Sequence, residues 1–273
     1  MTTSQWDRRI HRANELAGLF PFAAEGLSFY LHIVKFQQFL YAQLHQLSAR
    51  PRFSSDRPLR EELDLKLILP KFSRFLSLIG EIAPEPLAEA AADLARGGPP
   101  AWEEILAGFW RTDMESVDAN GASGNSERLL AWIFLQPYAE YLADRRGPTT
   151  PDGTPSTCPL CGGKPIVGVL RREGDGAKKS LICMLCAHEW AFRRLYCPAC
   201  GEEREPQLAF YSSPEIAHVR VDVCDTCHTY LKSVDLTKIG LAVPVVDELA
   251  AIPLDLWALE HGYHKLQFNM LGM

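Results

Sequence analysis

The chain has 273 residues, 47% of them apolar and 23% charged, with a formal net charge of −6. That length and apolar content suffice for two domains with real cores, while the absence of any run of 18 apolar residues excludes a transmembrane helix. The acidic balance is even, −3 in residues 1–150 and −3 in 151–273, and it argues against nucleic acid as a partner, since such binders carry a basic face that releases counterions from phosphates.

The N-terminus is polar, and Arg8-Arg9 is followed by Ile10-His11-Arg12 rather than an apolar stretch. It resembles neither a Sec nor a twin-arginine signal, so a soluble cytoplasmic protein is expected. Residues 3–19 read as a helix capped by Thr3 or Ser4, with Gly18 near its end. In the next helix Phe29, Ile33, Phe36, Leu40, Leu44 and Leu47 step by three or four, and Leu27, Tyr30, Leu31 and Val34 widen the stripe, so burial on most sides is expected. Pro51 and Ser54-Ser55-Asp56 end it.

A third helix over 59–80 is interrupted by Pro70, and Pro84-Glu85-Pro86 opens an alanine-rich helix that stops at Gly97-Gly98-Pro99-Pro100. Another starts at Ala101, carrying Trp102, Ile105, Leu106, Phe109 and Trp110. A polar loop near Asn120-Gly121-Ala122-Ser123-Gly124 precedes a helix with Leu129, Trp132, Ile133 and Leu135. His32 and His45 lie beside apolar stripes and read as packing or surface histidines rather than ligands.

Gly147 to Pro155 holds three prolines and two glycines in nine residues and reads as a linker or surface loop. Beyond it the pattern changes to short alternating runs. Ile166–Leu170, Ser180–Ile182, Glu189–Phe192, Leu208–Tyr211 and His218–Val223 read as strands, with Glu173-Gly174-Asp175-Gly176 a hairpin tip. Residues from Pro244 to Gly262 read as a helix kinked at Pro253.

All eight cysteines fall between Cys158 and Cys227, as four C-x-x-C pairs: Cys158/Cys161, Cys183/Cys186, Cys197/Cys200 and Cys224/Cys227. Two residues between cysteines let both sulfurs of a tight turn face one ion, and two such turns make a tetrahedral four-sulfur cage. The gaps between pairs are 21, 10 and 23 residues, and the outer two suit ribbon hairpins whose ends return to each other. The simplest pairing is therefore sequential, with Cys158, Cys161, Cys183 and Cys186 on one ion and Cys197, Cys200, Cys224 and Cys227 on another. Cys158-Pro159-Leu160-Cys161-Gly162 and Cys197-Pro198-Ala199-Cys200-Gly201 are two copies of one knuckle, with proline presetting φ and glycine permitting positive φ past the second sulfur. Each cage is expected on its own small sheet, stabilised by its ion.

Competing readings are weaker. Disulfides suit export, for which the chain shows no signal. No pair clearly opens a helix after a strand, as a thioredoxin-like site requires. Cys224-Asp225-Thr226-Cys227-His228 also spells the c-type haem signature, but haem attachment needs export and leaves Cys197 and Cys200 without partners. The fold class is thus α+β: an irregular all-α N-terminal domain, two tandem four-cysteine zinc-ribbon modules and a C-terminal helix. The boundaries read as 1–146 helical, 147–157 linker, 158–194 first module, 195–240 second module and 241–273 C-terminal helix and tail.

The stretch C-P-L-C-G-G-K-P from Cys158, C-M-L-C-A-H-E-W from Cys183, Arg194, C-P-A-C-G from Cys197 and C-D-T-C-H-T-Y-L-K from Cys224 resembles the FdhE family of formate dehydrogenase accessory proteins. The likeness covers about residues 158–262, and the helical part agrees in character without a sharp motif. It implies no enzymatic activity but a cytoplasmic biogenesis factor. That factor acts on the molybdenum- or tungsten-containing catalytic subunit of formate dehydrogenase before its export, with no nucleic acid and no membrane insertion. It also implies rubredoxin-like sites, so iron stands beside zinc as the metal in the two cages. Glu189, Trp190, Arg194, Tyr230 and Lys232 come with the family motifs and are candidate partner contacts. The plainer alternatives are a core Trp190, a Glu189–Arg194 ion pair, Tyr230 in strand packing and Lys232 as a solvated charge. His228 departs from the small residue expected after the knuckle. Two further functions are weighed: a rubredoxin-like iron protein carrying electrons during maturation, and a nucleic-acid-binding zinc ribbon, which the acidic charge disfavours.

Overall fold

The computed structural model describes residues 4–47, 58–112, 122–146, 153–174 and 176–273. The helix and loop ends expected at Pro51, Ser54–Asp56, Asn120-Gly121 and most of the Gly147–Pro155 linker lie outside them, as does Asp175 of the hairpin tip. By density of contacts the chain forms two compact units, one of Met1–Leu31 with Thr149–Met273 and one of His32–Pro148. This division differs from the one read off the sequence, which kept residues 1–146 together.

The unit His32–Pro148 is helical. It holds most of α2 (Ala24–Leu47), then α3 (Leu65–Ile68), α4 (Phe72–Ile82), α5 (Glu85–Thr112) and α6 (Ala122–Arg146). Pro70 falls between α3 and α4, and α5 is broken at Gly98 (φ 66°, ψ −169°), directly before Pro99 and Pro100. Both breaks follow from a proline that removes a helical N–H donor. Phe36, Phe72, Phe75 and Phe134 form the aromatic centre, with Phe72 and Phe134 edge to face at 4.7 Å. Tyr138 donates to the Glu62 carbonyl (2.7 Å) and accepts from the Asp64 N–H (3.0 Å). His32 and His45 are exposed, and His45 packs edge to face on Tyr141.

The other unit is built on one sheet. Its strands are β1 (Pro165–Glu173), β2 (Gly176–Cys183), β3 (Glu189–Phe192), β4 (Leu208–Ser212), β5 (Val219–Cys224), β6 (Thr229–Asp235) and β7 (His264–Lys265). Their order is β3-β2-β1-β6-β5-β4, with β7 also beside β6. Five of these elements match the sequence reading; β6 was touched on only in the reading of Tyr230 as strand packing, and β7 was not anticipated. The expectation of two separate small sheets is corrected. β1 and β6 pair in parallel at Gly168↔Ser233, Val169↔Val234 and Leu170↔Asp235, fusing two antiparallel three-stranded halves. Gly168 makes the junction possible, because a Cβ there would sit 2.2 Å from the Ser233 hydroxyl.

Around the sheet lie α1 (Gln5–Leu19), α7 (Pro244–Ala250) and α8 (Ile252–Glu260). Ser4 caps α1 in a capping box, its hydroxyl accepting from the Asp7 N–H at 3.1 Å. Buried Arg12 reaches from α1 to Asp247 of α7, which explains why the first 31 residues group with this unit. The single C-terminal helix expected is two helices broken at Ala251, with Pro253 in the first turn of α8, where its missing N–H costs nothing. Among the described residues no helix is long and apolar enough to cross a membrane.

Candidate metal centres

The structure gathers the cysteines into two groups, Cys158, Cys161, Cys183 and Cys186, and Cys197, Cys200, Cys224 and Cys227. Within each group the sulfurs lie within 4.8 Å of one another. The Cys158–Cys186 and Cys161–Cys183 sulfurs are 3.6 and 3.3 Å apart, and the Cys197–Cys227 and Cys200–Cys224 sulfurs 3.7 Å in both cases. A tetrahedral ion with metal–sulfur bonds near 2.3 Å puts its ligands about 3.8 Å apart, whereas a disulfide needs about 2.05 Å. The spacing fits an ion cage and not a cystine.

Each cage is assembled from two knuckles of identical backbone logic. The residue after the second cysteine has positive φ in all four: Gly162 (75°), Ala187 (53°), Gly201 (77°) and His228 (53°). That reversal closes the turn, with Gly162 N–H donating to the Cys158 carbonyl (2.8 Å) and Gly201 N–H to the Cys197 carbonyl (3.0 Å). Amides of the knuckles also point at sulfur: the N–H groups of Gly163, Leu185 and Ala199 donate to Cys161, Cys183 and Cys197, each at 3.4 Å. His228 therefore fills the role of a glycine; histidine is among the side chains that tolerate this region.

Without an ion, the four sulfurs cannot all carry charge. Among the bare thiols of the first cage, burial pushes Cys183 well above its ordinary value, and hydrogen bonding with Cys158 pushes Cys186 up. Hydrogen bonds from Cys161, Cys183 and Cys186 hold Cys158 far below its own. Four adjacent thiolates coexist only around a positive ion, and the donor set suits zinc or iron. Such an ion would supply folding energy, and with iron a one-electron couple.

The cages differ in exposure. Cys158, Cys161, Cys183 and Cys186 are all buried, whereas Cys200 is exposed and Cys227 half-buried. Glu202 clasps the second cage from outside. Its carboxylate accepts from Arg204 (2.7 Å) and from the Thr226 hydroxyl (2.7 Å), tying the Cys197 knuckle to the Cys224 knuckle. These bonds hold Glu202 well below the usual carboxylate range. Tyr263 donates to Asp225 at 2.6 Å, a bond that raises its pKa to about 12.

The residues expected to touch a partner are mostly inside. Trp190 is buried, its indole N–H donating to the Pro155 carbonyl (2.9 Å). Tyr230 is buried and donates to Asp255 (2.9 Å). Lys232 is not a solvated charge but fully buried, donating to the Glu248 carbonyl (2.6 Å) and pairing with Glu248 and Asp255. These three hold the fold together and present no surface. Glu189 pairs with Arg171 (2.6 Å) and accepts from Ser180, rather than meeting Arg194. Arg194 is exposed.

What the sequence reading missed is a cavity of about 100 Å3 against the second cage, lined by Cys197, Leu195, Phe210, Arg220 and Asp222 among others. The signal was present in Val219-Arg220-Val221-Asp222-Val223, where alternation puts Arg220 and Asp222 on one face of a central strand. Lys179 and Ser233 donate to that same Asp222 at 2.7 Å.

Comparison with known proteins agrees with this architecture. Residues 157–194 match the family pattern described as FdhE, central domain, and residues 195–271 that of FdhE, C-terminal domain. A protein FdhE homolog of Aquifex aeolicus is 28% identical over 274 residues, covering 96% of this chain and 94% of its own. One from Shewanella oneidensis is 35% identical over 114 residues, covering 42% of this chain and 37% of its own. The crystal structure of the FdhE protein from Pseudomonas aeruginosa superposes with a TM-score of 0.67 at 24% identity, over 99% of this chain and 97% of that one. The chain thus carries both cysteine-bearing FdhE domain patterns in tandem over residues 157–271, aligns almost end to end with an FdhE homolog and shares the fold of an FdhE protein.

Proposed function

We propose that the protein is a non-enzymatic accessory factor for formate dehydrogenase that binds the immature catalytic subunit in the cytoplasm, before export. The observation that carries this reading is the contrast between the two cages on one sheet. The first is sealed and suits a structural ion; the second is half open and lies beside exposed Leu195 and Phe210 (50% and 61% exposed). A rigid scaffold with an apolar surface at one end suits gripping a partner. Of the partner contacts first considered, Arg194 and Glu189 remain at the surface. Capture of the catalytic subunit by purified, metal-loaded protein tests the proposal. Capture that disappears when cysteines of the second cage are replaced supports it, and failure of the intact protein to capture the subunit refutes it.

A second reading is favoured by the exposed Cys200 sulfur. An iron ion reached through an accessible ligand could pass one electron during maturation. Elemental analysis of anaerobically purified protein separates the two: colourless zinc in both cages removes the redox reading, and red iron in the second cage keeps it.

A further inference from the structure

Outside the cages, the feature that asks for a ligand is one edge of the sheet. β4 stands last in the strand order and, among the described residues, pairs with β5 alone. The phase of the ladder is fixed by two bonds, Asp225 N–H to the Gln207 carbonyl (2.9 Å) and Asp235 N–H to the His218 carbonyl (2.7 Å). Carried along the register, antiparallel alternation turns the amides of Ala209 and Tyr211 toward β5 and those of Phe210 and Ser212 toward the open side. Natural sheets blunt such edges with lysine, proline or a bulge. This one pairs without a register shift and carries Phe210 and Tyr211, 61% and 44% exposed.

Both faces of the edge offer a seat for a side chain. On one, Phe210 covers the Arg220 guanidinium at 4.5 Å, beside the cavity that exposed Arg194 also lines. Lys179 and Arg220 pair with Asp222 there (2.7 and 2.8 Å), and the second cage's Cys197 and Cys224 line the same space, so the cation offered to a ligand is exposed Arg194. On the other, Tyr211 packs 4.3 Å from Trp257, which stacks on His261 at 4.2 Å. A strand laid along β4 would send successive side chains alternately into an apolar cavity edged by Arg194 and onto an aromatic ledge, the pattern by which strand addition gains specificity.

We propose that β4 is a strand-addition site for an extended segment of the immature catalytic subunit, with an acidic or acid-flanked apolar side chain over the Phe210–Arg220 cavity. The occupant rests on the accessory reading above; the mode and the place do not. Full-length, metal-loaded protein is titrated with the catalytic subunit and probed with short overlapping peptides tiled across it. Ser212→Pro removes only an outward N–H, which an edge strand tolerates, and Phe210→Lys alters an exposed side chain. Each is expected to weaken capture about tenfold or more, and Arg194→Glu to weaken the acidic peptides selectively, with circular dichroism and metal content unchanged. Equal capture by wild type and variants overturns the inference and leaves the accessory reading standing, whereas no capture by wild type overturns both. A wild-type dimer that Ser212→Pro converts to monomer, with capture intact, assigns the edge to a second copy of this chain and also overturns it. Should Ser212→Pro misfold, Phe210→Lys and Arg194→Glu decide.

Discussion

Lys232 and Asp255 form an ion pair in which neither side chain reaches solvent. Glu248 lies 3.0 Å from the same ammonium, and Lys265 bridges Glu248 (2.5 Å) and Asp255 (3.1 Å). Two cations and two carboxylates thus neutralise one another beneath β6, α7 and α8. Lys232→Met leaves two carboxylates facing one lysine, and the expected loss is about 3–5 kcal/mol in urea unfolding. Adding Asp255→Leu should recover much of it, since a balanced apolar replacement costs far less than a broken pair. A double variant no better than the single would show that shape, not charge, governs the site.

The same network sets the response to acid. Burial alone would raise Glu248, but Lys232 and Lys265 outweigh it and hold its carboxyl below the usual range; His218 and Arg12 do the same for Asp247. A carboxyl whose folded pKa is depressed contributes stability that is complete above its unfolded value and lost as pH falls through the folded one. Lys232 is raised despite its burial by the same two carboxylates, so its contribution persists through neutral pH and fades only in alkali. Burial instead lowers Lys265, which opposes Lys232 as pH falls from alkali; the depressed carboxyls govern the acid side, where stability should fall steeply below the ordinary carboxylate range. Glu248→Gln should start lower and fall less steeply. Because acid also releases thiolate-bound metal, metal content is followed in the same titration. An unfolding midpoint that tracks metal release alone, equally in both proteins, would contradict the assignment.

The knuckles make a backbone prediction. A non-glycine residue at positive φ costs roughly 1–2 kcal/mol, so Gly162→Ala and Gly201→Ala should each destabilise by about that amount. His228→Gly should be neutral or slightly stabilising, because relief of the backbone is offset by the entropy of the added glycine. Thermal unfolding of the metal-loaded proteins checks both signs. A clear loss in His228→Gly would mean the imidazole itself supports the cage or its contact with Tyr263.

Much of this was legible in advance, for physical reasons that can be named. Cysteine spacing reports local turn geometry, so the four knuckles and their sequential grouping could be read from Cys158 to Cys227. Prolines at 70, 99 and 253 mark helix breaks because they remove a donor wherever they stand. Lys232 was misread because a strand lysine looks solvated until its partners, 16 and 23 residues on in α7 and α8, are placed against it. Asp247, Glu248 and Asp255 within an otherwise apolar stretch were the hint that buried cations were needed. The fusion of the two halves depends on a long-range parallel pairing, which no local pattern encodes.

Exposure predicts the order of metal loss. Chelator reaches an ion through a ligand that can leave, and only the second cage has an exposed sulfur, Cys200. Two kinetic phases of equal amplitude are expected, the fast one abolished by Cys200→Ser and the slow one untouched. Release of both ions in one phase would mean that the cages open together.

Gly168→Ala tests whether the two halves act as one. The new Cβ would meet the Ser233 hydroxyl at 2.2 Å, Ser233 Cβ at 3.2 Å and Lys179 Cε at 3.3 Å, all inside the sheet. Because Ser233 and Lys179 both donate to Asp222 at 2.7 Å, the strain is passed from β1 and β2 to β5 and β6. Overpacking of this kind costs about 1–3 kcal/mol. Ser233→Ala in the same chain removes the nearest contact and should restore part of the loss, although the Cβ contact remains. Hydrogen exchange is the discriminating measurement, since local opening reports which strands share a cooperative unit. Faster exchange in β5 and β6 as well as in β1 and β2 is expected of a fused sheet. Protection lost only between Pro165 and Cys183 would mean that the parallel seam joins the halves in space without coupling their stability.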